Sequence, residues 1–298
     1  HWHNAGVGIY INPIPMNYRE ADIVVLSDLH LGTYGCHAKE IVQYLQHIRP
    51  KWLILNGDII DGWQFSKRYF PATHLQVIKE ILNLTELGTR VVYITGNHDE
   101  MLRRYSGWQL SHFQLTDKLV LEIDGNMTWI FHGDVFDATT KGSAKVIAKL
   151  GGIGYDWLIL INRLINWILI KLNRPKMSLS KRIKNSVKKA VAWIDDFEQT
   201  AAELAIEKGY KYVICGHIHQ PQHRLMETEK GSVTYLNSGD WVENLTALEY
   251  AKGNWQLYQY QESDFAEAPV IPMSALHKEI EVVTEEVSMH IHSLQILS

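Results

Sequence analysis

Five short blocks of this chain set carboxylate, imidazole or amide side chains beside small residues at the end of an apolar run. They are Asp28-Leu29-His30, Gly57-Asp58-Ile59-Ile60-Asp61, Gly96-Asn97-His98-Asp99, His132-Gly133-Asp134 and Gly216-His217-Ile218-His219. Together these groups suit hard to borderline divalent cations such as Mn²⁺, Fe²⁺ or Zn²⁺. A glycine next to a ligand permits the tight turn that brings donors from different strands together. A single Asp-x-His carries little weight, but five such blocks are not what core packing produces. His37, His47, His74, His112 and His223 lack this context and read as surface or helix histidines. Asp61 reads as a cap on the turn after its strand, with binding of a metal-bound water as the alternative, and Asp134 as a cap or a support for the ligands. Cys215 reads as a small buried strand residue.

The elements that must position the blocks follow from periodicity. Asp22–Asp28, Trp52–Asp58 and Arg90–Asn97 read as strands; His37–Ile48 and His74–Gly88 read as helices, the second closing on a glycine. This β-α-β-α-β order predicts right-handed crossovers and a largely parallel, buried sheet. In such sheets a ligand sits beyond the carboxyl ends of the strands, which is where the blocks fall. Leu119–Asp124 and Thr128–Asp134 flank Gly125-Asn126, read as a hairpin turn. Helical patterns then run from about 135 to 209, an insertion between two histidine motifs that suits a lid. Tyr210–Pro221 returns to strand and loop, and Ser232–Gln261 reads as three short antiparallel strands. The division expected is one domain over 1–261, carrying the insertion, and a C-terminal tail over 262–298.

The whole chain narrows the classes. Its 298 residues are 46% apolar and 21% charged, enough for a sizeable core. Lys plus Arg is 29 and Asp plus Glu is 33, giving 29 − 33 = −4, which argues against broad nucleic-acid binding. Two cysteines, Cys36 and Cys215, provide neither a disulfide framework nor a cysteine zinc site and suit a reducing cytoplasm. The first residues show no basic stretch followed by a clean apolar run, so no signal peptide is expected. Tyr155–Leu172 is strongly apolar, but Asn162, Arg163 and Asn166 interrupt it and share one helical face. It reads as an amphipathic helix rather than a membrane span.

D-x-H, G-D-x-x-D, G-N-H-D, H and G-H-x-H in this order resemble the calcineurin-like metallophosphoesterases, over about Asp22 to Tyr250. The resemblance implies an α/β sandwich of two mixed β-sheets flanked by helices, with a two-metal centre that hydrolyses phosphoesters. Carried over by motif, one metal would be held by Asp28, His30, Asp58 and His219. The other would be held by Asp58, Asn97, His132 and His217, with Asp58 bridging. His98 would face the substrate and donate a proton or a hydrogen bond to it, and Asp99 would brace the His98 imidazole. Manganese is the metal expected, with iron or zinc as alternatives.

Within the family, "SDLHLG" and "GDIIDGWQF" are similar to the UDP-2,3-diacylglucosamine pyrophosphatases of lipid A synthesis. That likeness implies cleavage to UMP and an acylated glucosamine 1-phosphate. Trp63 would line the sugar or acyl site, and Ser180, Lys181, Asn185 and Lys188 would be the substrate contacts of a helical lid. An apolar helix beside Lys181, Arg182, Lys184, Lys188 and Lys189 also suits peripheral attachment to an anionic membrane, on the cytoplasmic face. One residue departs from that pattern: many members carry arginine where this chain has His98, and Arg103 and Arg104 stand nearby. The other reading is a soluble metal-dependent phosphodiesterase or phosphatase acting on nucleotides or phosphoproteins, which leaves the apolar insertion unexplained.

Overall fold

The computed structural model of the chain describes residues 18–63, 69–136 and 179–265, with side chains from 191 onward in the last stretch. Residues 1–260 form one compact unit and 261–298 a second, in which only a single 3-10 turn, Glu262–Phe265, is described.

Four short strands dominate the first sheet: β1 (Ile23–Leu26), β2 (Trp52–Asn56), β3 (Arg90–Ile94) and β5 (Phe113–Thr116). They run parallel, in the registers Val24↔Leu53, Ile54↔Val92 and Val92↔Gln114. Every residue of β1 is buried, as expected for a parallel strand covered on both faces. Antiparallel strands close the edges: β4 (Gln109–Leu110) on one side, β11 (Thr246–Ala251) and β12 (Asn254–Gln259) on the other, in the order β12-β11-β1-β2-β3-β5-β4. The second sheet has the order β6-β7-β8-β10-β9, from β6 (Lys118–Ile123), β7 (Asn126–Phe131), β8 (Tyr212–Cys215), β9 (Gln222–Thr228) and β10 (Gly231–Asn237). Here β7, β8 and β10 are parallel, so both sheets are mixed.

Side-chain alternation along each strand builds the layers. Ile23, Val25, Ile54, Val92 and Ile94 pack with Ile130, Ile214 and Leu236 into one core that joins the two sheets. The opposite side of β8 and β10 presents Val213, Cys215, Val233 and Tyr235, which pack with Phe197, Ala201, Ala202 and Ala205 of helix α3 (Leu179–Glu207). The helices following β1 and β2 are α1 (Ala38–Gln46) and α2 (Ala72–Glu86), which pack on each other. The result is an α/β sandwich of two mixed sheets with flanking helices.

Several expectations are corrected. The hairpin turn lies one residue earlier than Gly125-Asn126: Ile123 pairs with Asn126, so Asp124 and Gly125 form the loop, both at positive φ as a two-residue twisted turn requires. The three strands read over Ser232–Gln261 do not share a sheet. β10 joins β8 and β9, while β11 and β12 complete the first sheet. β4, β5 and β9 carry no pattern that periodicity could read, being either very short or largely exposed. Most of the helical insertion, including Tyr155–Leu172, lies outside the described residues. Its described end, α3, packs its C-terminal half into the core of the second sheet. Among the described residues no helix is long and apolar enough to cross a membrane.

Candidate metal centre

The sequence blocks converge because each follows a parallel strand and all of these strands end on one side of the sandwich. Asp28 and His30 follow β1, Asp58 and Asp61 follow β2, and Asn97 and His98 follow β3. From the second sheet, His132 follows β7, and His217 and His219 follow β8. The loops are tied to one another beyond the strands: Asp28 N donates to Gly57 O (3.0 Å), His30 N to Asp58 O (3.0 Å) and Asp61 N to Leu31 O (2.9 Å).

The backbone is strained here. Among the described residues, nine non-glycine residues have positive φ, and five of them are Asp28 (53°), His30 (49°), Asp58 (53°), His217 (67°) and His219 (52°). A left-handed L-residue costs roughly 1–2 kcal/mol, so such a concentration persists only where surrounding bonds over-determine it. Two glycines make room. A Cβ on Gly57 would lie 2.3 Å from His132 Nδ1, and one on Gly96 would lie 2.2 Å from Asp58 Oδ1.

The donor atoms fall into clusters. One atom each from Asp28, His30 and His219 lie within 4.8 Å of one another, as do one each from Asp58, His132 and His217. His132 Nδ1 lies 2.9 Å from Asn56 O, which fixes that nitrogen as the donor and leaves Nε2 facing Asp58 Oδ2 at 3.2 Å. His30 Nδ1 lies 3.2 Å from Asp61 Oδ2, which points His30 Nε2 at His219 Nε2, 3.4 Å away. Asp28 Oδ1, Asn97 Oδ1 and His132 Nε2 are buried and make no hydrogen bond of acceptable geometry within the protein. Buried polar atoms are ordinarily satisfied, so three orphaned lone-pair atoms on three of the expected ligands fit a site built for cations. The residues present therefore suit two divalent ions.

Charge points the same way. Burial works to raise Asp58, but His132, His30 and His98 outweigh it and hold the carboxyl well below its usual range. Burial works to lower His132, yet Asp58 and Asp28 raise it to about 10; His219, facing Asp28, is raised to about 9 in the same manner. Protons and cations thus compete for the same lone pairs, and a metal bound here must displace protons.

His98 takes no place in these two triads, although with His30 and Asp61 it forms a third set of donor atoms within 4.8 Å of one another. Its backbone N–H donates to Asp58 Oδ1 (2.8 Å), which places it in the crevice, and its ring packs 4.1 Å from that of Trp63. Trp63 itself is 60% exposed. Burial works to lower the His98 imidazole, and its bond to Asp61, with the charges of Asp58 and Asp28, raises it above its ordinary value.

The brace on His98 is not Asp99. Asp99 is fully buried and accepts from Tyr93 Oη (2.6 Å), Gly96 N (2.6 Å) and Ile59 N (2.9 Å), so it ties the β3 loop to the β2 loop. The group at His98 Nδ1 is Asp61 Oδ2, 2.9 Å away, and Asp61 thereby holds both His98 and His30. Its other oxygen accepts from Trp63 N (3.1 Å), so the turn expected of Asp61 forms as well. Adjacency in sequence favoured Asp99; only the direction of the β3 loop excludes it. His74, read as a surface or helix histidine, is buried in α2, and its Nδ1 accepts from Gly32 N (2.9 Å). Asp134 opens a 3-10 turn and pairs with Arg103, so that guanidinium links two loops of the site. Asp240, not singled out in the sequence, is buried and accepts from three backbone N–H groups while standing 4.0 Å from His219 Nδ1. Ser180, Lys181, Asn185 and Lys188 lie on α3, and their side chains fall outside the described residues.

Known proteins resemble this chain in sequence. A UDP-2,3-diacylglucosamine hydrolase of Aliivibrio fischeri (strain MJ11) is 25% identical over 241 residues, covering 80% of this chain and 98% of that protein. The protein of the same name from Nitrosococcus oceani is 25% identical over 233 residues, covering 75% of this chain and 88% of that one. That from Vibrio cholerae serotype O1 (strain ATCC 39315) is 23% identical, covering 76% and 93%. The family model for calcineurin-like phosphoesterases matches residues 21–221, a span that contains both donor triads and His98. With its two mixed sheets and strand-end donors, the chain belongs to the calcineurin-like phosphoesterase family.

Proposed function

We propose that this metallophosphoesterase cleaves the pyrophosphate of UDP-2,3-diacylglucosamine, releasing UMP and an acylated glucosamine 1-phosphate, as a step of lipid A synthesis. The observation that carries the chemistry is the pair of donor triads, Asp28/His30/His219 and Asp58/His132/His217, with His98 beside them. The substrate class comes from the relatives' name and from their near-complete coverage by this chain. Two divalent ions held there, Mn²⁺ by preference, would lower the pKa of the attacking water and neutralise charge on the phosphorus oxygens. The protein's own groups do the rest. Asp58, held ionised, is the carboxylate expected to bridge the two donor sets, and Asn97 is expected to lend its amide oxygen to the second. His98, whose imidazole Asp61 holds above its ordinary pKa, donates to the phosphoryl group or to the leaving oxygen. Trp63 covers His98 and offers an apolar face to the sugar. Ser180, Lys181, Asn185 and Lys188 are assigned to the far side of the substrate, and the helical insertion to a lid resting on the cytoplasmic membrane face.

The test is hydrolysis of UDP-2,3-diacylglucosamine with Mn²⁺ in ¹⁸O water, with products read by phosphorus NMR. Release of UMP is the expected result. No UMP, alongside turnover of bis(p-nitrophenyl) phosphate, would remove the substrate and keep the reaction class. The alternative, a phosphodiesterase or phosphatase for soluble nucleotides or phosphoproteins, draws on His98, because a histidine donor serves any phosphoester. Deleting residues 149–174 separates the two, since a soluble substrate would still be turned over and a lipid substrate would not.

A further inference from the structure

The connection from β10 to β11 crosses from the second sheet to the first. Ser238, Gly239, Asp240 and Asn244 along it are turn formers, and Trp241 among them is wholly buried. Trp241 N donates to Asp28 O (3.1 Å), and Asn244 Nδ2 donates to His219 O (2.9 Å). Ser27 Oγ, one residue before Asp28, donates to Gly239 O (2.9 Å). The connection thus grips two donors of the first set that come from different sheets, Asp28 after β1 and His219 after β8.

At its centre lies Asp240, which is wholly buried. Its Oδ1 accepts from the backbone N–H groups of Val242, Glu243 and Asn244. Aspartate, asparagine and serine cap such a turn about equally well, so this bond needs one oxygen and no charge. The other oxygen, Oδ2, accepts from Asn244 Nδ2 and stands 4.0 Å from His219 Nδ1. Across that ring, His219 Nε2 is 3.2 Å from Asp28 Oδ1 and 3.4 Å from His30 Nε2. The imidazole therefore stands between a buried carboxylate and the donor cluster. A carboxylate behind Nδ1 favours the proton on that nitrogen, which leaves the Nε2 lone pair for a cation and makes it more basic. His132 of the second set is backed instead by a neutral carbonyl, Asn56 O.

We propose that Asp240 is a positioning residue for His219, setting its tautomer and raising the affinity of the first donor set, but not of the second, for a divalent ion. The inference rests on the reading that each donor set holds one ion; it does not depend on the substrate.

The test uses Asp240→Asn and Asp240→Ser, which keep a capping oxygen and remove the charge. Metal-free protein is titrated with Mn²⁺ by calorimetry. Wild type should bind two ions. Each variant should bind one ion as wild type does and the other about 10–100-fold more weakly. At Mn²⁺ concentrations that saturate wild type, electron paramagnetic resonance should show the coupled two-manganese signal replaced by that of an isolated ion. Adding His217→Ala to Asp240→Ser should loosen the remaining ion, and adding His30→Ala should not. Unchanged affinity for both ions in both variants overturns the proposal. So does equal weakening of both, which would make Asp240 a cap alone. A wild type that binds no Mn²⁺ would remove the two-ion reading and the proposal with it. A second measurement needs no variant. In wild type loaded with ¹¹³Cd²⁺, long-range ¹H–¹⁵N NMR should show His219 protonated at Nδ1 and coupled to cadmium through Nε2; the opposite tautomer overturns the proposal.

Discussion

At the scale of residues, two carboxylates three positions and one position away from their landmarks exchange the roles that spacing suggested. Asp61 contacts the His98 imidazole at 2.9 Å, and Asp99 takes three donors away from it. Their substitutions should therefore separate. Asp61→Asn, measured by steady-state kinetics, should lower kcat, because it removes the carboxylate that raises the His98 imidazole above its ordinary value. Asp99→Asn should destabilise the fold by about 1–3 kcal/mol in denaturant titration, since one oxygen accepting from buried donors is lost. His98→Ala should cost roughly 10²–10⁴ in kcat while metal content, read by mass spectrometry of the dialysed protein, stays at the wild-type value. Collapse of the metal content would instead make His98 a ligand. The donor side chains at 28, 30, 58, 97, 132, 217 and 219, expected as ligands, could be picked out of the sequence because each lies just after an apolar strand. The partner of His98 was not, because a through-space contact between two loops leaves no local pattern.

At the scale of elements, the loops succeed only where they may approach closely. Gly96 packs against Asp58 and His132, so Gly96→Ala should both weaken metal binding and destabilise the protein by about 1–3 kcal/mol, as overpacking does. Calorimetric titration with Mn²⁺ reads the first effect and thermal unfolding the second. Helix α3 is the other element whose part is structural. Phe197 is buried among Phe136, Trp193 and the second sheet, with its ring 6.3 Å from that of His217. Phe197→Ala should cost about 3–5 kcal/mol of stability, measured in urea. The β-α-β-α-β portion was readable, since its strands are continuous buried runs and its helices have a clear apolar face. β4, β5 and β9 were not, because two- to seven-residue strands with exposed or mixed patterns give no distinguishing period.

At the scale of the molecule, the two sheets bring buried carboxylates from the loops of the first to imidazoles from the loops of the second, which neither sheet could do alone. Asp28, Asp58 and Asp61 are almost wholly buried, and divalent ions held by Asp28 and Asp58 with their histidines would offset both desolvation and mutual repulsion. Mn²⁺ should therefore raise the melting temperature in a concentration-dependent way, worth about 2.7 kcal/mol at a hundredfold excess over Kd. Chelation should reverse the rise. Asp58→Asn should abolish most of it, as differential scanning calorimetry would read; an unchanged response in that variant would exclude Asp58 as a shared ligand.

The sequence alone determined which side chains stand at the strand ends and the order in which they occur, because an apolar run, a turn residue and a polar ligand are neighbours along the chain. It also determined the α/β class through its alternating periods. The tertiary structure decided which carboxylate holds His98, which sheet receives β10, and that α3 serves the core. Those outcomes depend on where left-handed backbone turns aim each loop and on which edges remain free once β1, β2 and β3 have paired. Such choices are made between segments far apart in the sequence, where spacing carries no information about direction.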